Sequence, residues 1–243
     1  MEKTEKILDS VKSWPLQNML RSVYRRSVDL GNEKLLEKIL EAMSIADRRF
    51  FVGSDSRNIE NAYADDVLGI EDGQTISEPT TVARMLLYAD LKEGDSVLEV
   101  GSGSGWNATL ISFIVYPGKV ISVDRAHIQK AEESISKFRE YLVEKNQSRV
   151  LERISKLNFL EENIFSRGKV WKRKYDKIII TAGIHVGDNN IANKVETLAV
   201  DLLNKNGILI CPYTEGPMVI YRKNDKLERE EKDSYRFIPL FDN

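Results

Sequence analysis

Apolar residues recur with a helical rhythm over the first fifty positions. Leu35, Leu36, Ile39, Leu40 and Met43 fall at i, i+3, i+4 spacing with Lys34, Glu37, Lys38 and Glu41 between them, which predicts an amphipathic helix. The segment 7–28 is interrupted by Pro15 and reads as two short helices. Arg48, Arg49, Phe50 and Phe51 close this region, and the polar, turn-rich stretch 55–73 reads as a surface loop. From Pro79 the pattern changes to short apolar runs alternating with helical segments. Residues 80–89, 107–115, about 127–144 and 197–203 predict helices. Residues 96–100, 119–123, 176–181 and 208–211 predict strands, as do 218–222 and 235–240. The run D-K-I-I-I-T at 176–181 is apolar throughout, as in a strand buried on both faces. Such alternation predicts an α/β fold, a doubly wound and mostly parallel sheet covered on both sides. The last two strands, joined by a charged turn at 223–233, predict an antiparallel C-terminal hairpin.

Composition narrows the partners more than the fold. The chain has 243 residues, enough for one substantial core, and its 36 basic and 38 acidic side chains nearly cancel. That balance carries no basic footprint for nucleic acid, so no nucleic-acid partner is expected. A single cysteine, Cys211, excludes an intrachain disulfide or a multi-cysteine zinc site, and two histidines offer little for a metal cluster. With no apolar signal core and no membrane-spanning run, a cytoplasmic protein, monomeric by default, is expected.

The most informative stretch is S-V-L-E-V-G-S-G-S-G at 96–105, an apolar run breaking into Gly101, Gly103 and Gly105 ahead of a helix. A strand, glycine turn and helix in that order bring bare backbone close to a small ligand. Asp124 ends the next predicted strand, close to the spacing of about 20 residues at which an acidic side chain receives ribose hydroxyls. No lysine follows the glycines as in a phosphate-gripping loop, and Trp106 stands where a dinucleotide site needs its third glycine. Trp106 is expected to pack between the turn and its helix. A G-x-G-x-G turn preceded by Glu99 and followed by Asp124 is similar to that of S-adenosylmethionine methyltransferases, whose cofactor has a ribose and a sulfonium but no phosphate. Upstream, Ser77 and Pro79 in G-Q-T-I-S-E-P could simply cap the next helix.

The runs A-Y-A-D-D, G-Q-T-I-S-E-P, V-L-E-V-G-S-G-S-G, D-K-I-I-I-T-A and R-F-I-P-L occur in that order from Tyr63 to Leu240. Together they resemble the protein-L-isoaspartate O-methyltransferase family. The resemblance implies a seven-stranded, Rossmann-like methyltransferase sheet at 61–243, with 1–60 as a helical N-terminal extension. It implies S-adenosyl-L-methionine as cofactor and, as substrate, the abnormal α-carboxyl of isoaspartyl residues in damaged proteins and peptides. Ser77 matches the family's active-site serine. Gln74, Thr75 and Ile76 would border cofactor and substrate, and Ser77 would also touch the cofactor. Gly101, Ser102 and Gly103 would line the methionine end, with Asp124 on the ribose and Glu99 and Arg125 completing the cofactor set. No metal is implied. The chemistry asks for little, since a carboxylate is already ionised at neutral pH and needs no general base.

Three departures from the family pattern stand out. In place of Gly-Asp-Gly after the fourth strand the chain has I-S-K-L-N-F-L-E-E at 154–162, where Asn158 or Glu161 is a candidate adenine partner. The loop 182–190 is longer and lacks proline, and its His185 reads as a solvated side chain rather than a base. Glu78 adds a negative charge beside the expected carboxylate site. A methyltransferase of the same fold with a changed substrate, or a non-catalytic binder of the same nucleoside, are the rival readings.

Overall fold

Seven strands among the described residues form one sheet in the order β5-β4-β3-β6-β7-β8-β9. The computed structural model describes residues 2–70, 74–126 and 128–241. Gly73 and His127, which open the G-Q-T-I-S motif and the long charged helix, lie outside them. The strands are β3 (Ser96–Val100), β4 (Lys119–Asp124), β5 (Leu157–Glu161), β6 (Tyr175–Ile180), β7 (Leu203–Pro212), β8 (Glu215–Lys223) and β9 (Leu227–Arg236). The first five are parallel, and β8 and β9 add antiparallel to the β7 edge. Chain order runs outward from β3 in one direction and from β6 in the other, so the switch point lies between them. That is where α/β sheets open a crevice beyond the strand ends.

Side chains alternate between two cores. Val97, Ile179, Ile208, Ile210 and Ile220 face one apolar cluster, while Leu98, Ile178, Ile180, Leu209 and Val219 face the other. The first cluster is closed by α5 (Pro79–Tyr88), α6 (Trp106–Val115), α7 (Ile128–Glu144), α8 (Ser148–Arg153) and the N-terminal helices, the second by α9 (Asn189–Leu202). The N-terminal helices are α1 (Glu2–Ser10), α2 (Trp14–Arg25) and α3 (Glu33–Ile45). Pro15 sits in the first turn of α2, as the predicted break requires, and Asn32 caps α3 by accepting from Leu35 N. Leu36, Ile39, Leu40 and Met43 of α3 are fully buried in the same cluster as the sheet. Each such side chain contributes roughly 1.5–3 kcal/mol of transfer free energy.

Several expected boundaries shift. The stretch 55–73 is not all loop: it holds α4 (Ser56–Glu60) and β1 (Leu68–Gly69), which pairs with β2 (Thr75–Ile76). The charged segment expected as a turn at 223–233 is mostly strand β9, and the turn shrinks to 224–226. β9 is an edge strand, where charges on both faces stay solvated and discourage pairing with another chain. The expected last strand therefore ends at Arg236, and 237–241 leaves the sheet. Helix α9 starts eight residues earlier than the predicted 197, because Asp188 caps it by accepting from Ile191 N. Leu203 then enters β7 directly, ahead of the predicted 208. Among the described residues no helix is long and apolar enough to cross a membrane.

Candidate active site

The glycine turn is built where β3 leaves the sheet. Gly101 N donates to Val123 O at 2.8 Å, and Gly101 and Gly103 take φ values of +97° and +48°. Gly101 has no room for a side chain: a Cβ there would stand 2.3 Å from Thr181 Oγ1. That hydroxyl is itself held by Val100 O at 3.0 Å and Gly101 O at 2.8 Å. Trp106 opens α6 fully buried, and its Nε1 donates to Ala46 O at 2.9 Å, so the indole reaches the end of α3 while also lining the cavity described below.

Acidic groups organise the turn from two depths. Asp124, at the end of β4, accepts from Ser102 N at 2.9 Å and from Ala126 N at 3.3 Å. Glu99 lies deeper and is fully buried. It accepts from Asn107 Nδ2 at 2.7 Å and from Ser122 Oγ, while Ser122 and Ser102 share a hydroxyl hydrogen bond at 2.7 Å. Burial pushes the Glu99 carboxyl up to about 8, against the pull of its two donors.

The Ser77 segment faces this turn from the other side. Ile70 N donates to Gln74 O at 2.8 Å, tying β1 and β2 into a short ribbon that delivers Thr75 and Ile76. Ser77 is not the helix cap: Glu78 holds the N-cap position of α5 without a side-chain cap bond. The capping acceptor comes instead from the A-Y-A-D-D run, where Asp65 accepts from Thr80 N at 2.9 Å and Thr80 Oγ1 at 2.6 Å. Ser22 of α2 and Arg26, just past its end, also donate to Asp65, at 3.0 and 2.8 Å. Glu78 turns its carboxylate to Thr81 Oγ1 at 2.6 Å and does not line the cavity, so its charge stands beside the site without facing into it.

Between the two segments lies a cavity of about 840 Å³ at the C-terminal ends of the parallel strands. Gln74, Thr75, Ile76 and Ser77 line it from one side, and Gly101, Ser102, Gly103, Asp124 and Arg125 from the other. Glu99 does not reach it and acts through Asn107, which does. The adenine candidates need correction. Asn158 is exposed within β5, and Glu161 pairs with Asp124 in the sheet and accepts from Gln129. The chain turns into the cavity one residue later, so Glu162 and Asn163 line it. His185 is exposed, outside the cavity, with Nδ1 3.5 Å from Thr214 Oγ1.

Sequence reasoning missed the remaining wall. Phe237, Ile238, Pro239, Leu240 and Phe241 line the cavity after β9. Gly183 N donates to Ile238 O at 2.7 Å and Leu240 N to Gly183 O at 2.8 Å, pairing this segment with the loop after β6. Gly183 is required there, since a Cβ would meet Thr214 N at 2.6 Å. Arg125 stacks over the Phe241 ring at 5.1 Å. The R-F-I-P-L run was visible, but nothing local showed that it folds back across the strand ends.

A doubly wound seven-stranded sheet with a deep pocket at its switch point is the arrangement of the Rossmann-like methyltransferase fold. The model of the family "Protein-L-isoaspartate(D-aspartate) O-methyltransferase (PCMT)" matches residues 29–243. The chain belongs to that family. A protein-L-isoaspartate O-methyltransferase of Fervidobacterium nodosum is 32% identical over 214 residues, covering 84% of this chain and 93% of the relative. One from Pyrococcus abyssi is 36% identical over 229 residues, covering 89% and 94%. The fold is shared with a crystal structure of a candidate protein-L-isoaspartate O-methyltransferase from Plasmodium falciparum in complex with S-adenosyl-L-homocysteine. That similarity has a TM-score of 0.72 at 22% identity and covers 93% of this chain and 98% of the other.

Proposed function

We propose that this protein transfers a methyl group from S-adenosyl-L-methionine to the α-carboxylate of L-isoaspartyl residues in damaged proteins and peptides. Its relatives carry the name of that activity. The observation that carries the reading is the meeting of the two motifs across one cavity: a Cβ on Gly103 would lie 3.8 Å from Thr75 O. The glycine turn therefore faces the segment that presents Ser77.

The residues present fit the cofactor. Bare backbone at Gly101 and Gly103 suits its methionine end, the Asp124 carboxylate at the strand end suits a ribose, and Arg125 flanks that position. Glu162 and Asn163, which follow β5 into the cavity, are the candidates to meet the adenine. A volume of about 840 Å³ lies in the upper part of the usual range for small-molecule pockets. When bound, S-adenosylmethionine supplies a methyl group already activated by the sulfonium charge.

The chain's own task is then to bind and aim a carboxylate. Ser77 lines the cavity, and its hydroxyl serves as the donor that holds one carboxylate oxygen and leaves the other free to attack. No proton has to be removed from an acceptor ionised at neutral pH. Glu78, held by Thr81, does not line the cavity that would receive an anionic acceptor. In this reading residues 1–60 are a helical extension that supports the transfer domain at 61–243. Protein and peptide chains are the partners of a cytoplasmic monomer in this reading.

Ser77→Ala tests the assignment. Losing a hydrogen bond to a charged group, worth roughly 1.5–3 kcal/mol, lowers kcat on an isoaspartyl peptide by about 10- to 100-fold. Calorimetric affinity for S-adenosylhomocysteine stays within about twofold if Ser77 acts on the acceptor alone. Unchanged kcat removes Ser77 from the mechanism.

A further inference from the structure

The described residues include one fully buried guanidinium that the transfer chemistry does not use. Arg48, in a 3-10 turn after α3, has no exposed surface. Its Nη1 donates to Ala62 O at 2.8 Å and Ala64 O at 3.2 Å, and its Nη2 to Asp66 O at 3.1 Å and Ser77 O at 3.2 Å. Its Cζ lies over the Trp106 ring, 5.4 Å from the centroid. Burial pulls Arg48 down to about 10, and the charges of Asp65 and Asp66 act against that pull. A cation taken out of water without a direct carboxylate partner is retained only where its donors are all used or its removal is worse. Here nearly all are used: Nε alone lacks a partner.

The four carbonyls come from two chain segments, the A-Y-A-D-D turn and the residue that presents the candidate hydroxyl. We propose that Arg48 is a positioning residue for methyl transfer, setting the placement of Ser77 by clamping its carbonyl to the 62–66 turn. The inference rests on the active-site role of Ser77 given above. Asp65 holds the same junction from the side-chain direction through Thr80, so residue 77 is fixed on both flanks. Only a planar fork reaches four carbonyls at once. A lysine ammonium keeps the charge but cannot span them. The contact with Trp106 ties the clamp to the helix after the glycine turn, so the two halves of the cavity share one brace. This also accounts for the A-Y-A-D-D run, whose main-chain oxygens and Asp65 carboxylate do the work.

The test compares wild-type protein with Arg48→Lys and Arg48→Gln, using Arg49→Lys as a neighbouring control on an exposed side chain. Two readouts are taken: turnover on an isoaspartyl peptide per calorimetrically counted S-adenosylhomocysteine site, and amide hydrogen exchange. Counting sites removes any loss that comes only from unfolded protein. A misplacement near 1 Å is enough to cost about 100-fold, so turnover per site is expected to fall by about 10- to 100-fold in Arg48→Lys. S-adenosylhomocysteine affinity stays within about threefold, and exchange speeds by about tenfold or more at 62–66 and 74–78 but not at 97–100. Arg48→Gln gives the same pattern, larger in size, and Arg49→Lys none of it. Wild-type exchange at 74–78, or unchanged turnover per site, overturns the proposal. So does a parallel loss of affinity with exchange rising through 97–106, since Arg48 then serves the whole fold. A wild-type protein inactive on the peptide defeats the functional reading instead, and the exchange arm still decides whether Arg48 holds the Ser77 segment.

Discussion

Replacing Gly101 by alanine, alone and together with Thr181→Ala, separates two reasons for a glycine at the head of the turn. The first is conformational: at φ +97° a side chain is strained, at a cost of about 1–3 kcal/mol. The second is steric, because the new Cβ would stand 2.3 Å from Thr181 Oγ1. To relieve it, the hydroxyl must abandon Val100 O and Gly101 O, losing about 1 kcal/mol of hydrogen bonding. It must also leave its rotamer well, at about 0.5–1.5 kcal/mol more. Gly101→Ala in the native background should therefore destabilise by about 3–5 kcal/mol. Thr181→Ala alone costs about 1 kcal/mol, and in that background the alanine at 101 costs only the strain, about 1–3 kcal/mol. The cycle predicts a coupling of about 1.5–2.5 kcal/mol, read from urea unfolding of the four ligand-free proteins. S-adenosylhomocysteine calorimetry should show lost affinity in both proteins that carry alanine at 101. Equal costs in the two backgrounds would refute the close approach as the reason for the glycine.

Two further predictions concern the acidic groups. Asp124→Asn removes a charged acceptor at the ribose position and should weaken S-adenosylhomocysteine by about 10- to 100-fold; a change under about twofold contradicts that role. Glu99 has a folded-state pKa of about 8 against an ordinary 4.5, so the folded chain keeps its proton to higher pH than the unfolded chain. Its contribution to stability is complete below about 4.5 and is lost as pH rises through about 8, with a slope of about 1.4 kcal/mol per pH unit inside that window. Glu99→Gln should flatten this slope relative to wild type in denaturation series from pH 5 to 9. An identical slope in both proteins shows that Glu99 is ionised in the fold.

What the amino-acid order revealed was what depends on near neighbours. The glycine turn, Asp124 and the apolar strands are local signals, and the parallel sheet follows from their alternation. Asn158 and Glu161 miss the cavity because sheet pairing holds them within β5, Glu161 opposite Asp124, and the chain leaves only at Glu162, whose N–H donates to Asp124 O at 2.8 Å. Strand β9 was hidden by its charges, which an edge strand tolerates and an inner strand does not. Arg48 read as one more basic residue in R-R-F-F, since its four acceptors come from residues 62 to 77. The wall formed by Phe237 to Phe241 depends on contacts with Gly183, more than fifty positions away in the chain. Ser77 carried two readings, and the capping reading failed only when Asp65 was seen to supply the acceptor.

The destination of the methyl group decides the function. Purified protein with labelled S-adenosylmethionine is given an isoaspartyl peptide and, separately, the same peptide with normal aspartate. Base-labile label is predicted on the isoaspartyl peptide alone. Label on both, or on neither while S-adenosylhomocysteine still binds, would contradict the proposed acceptor.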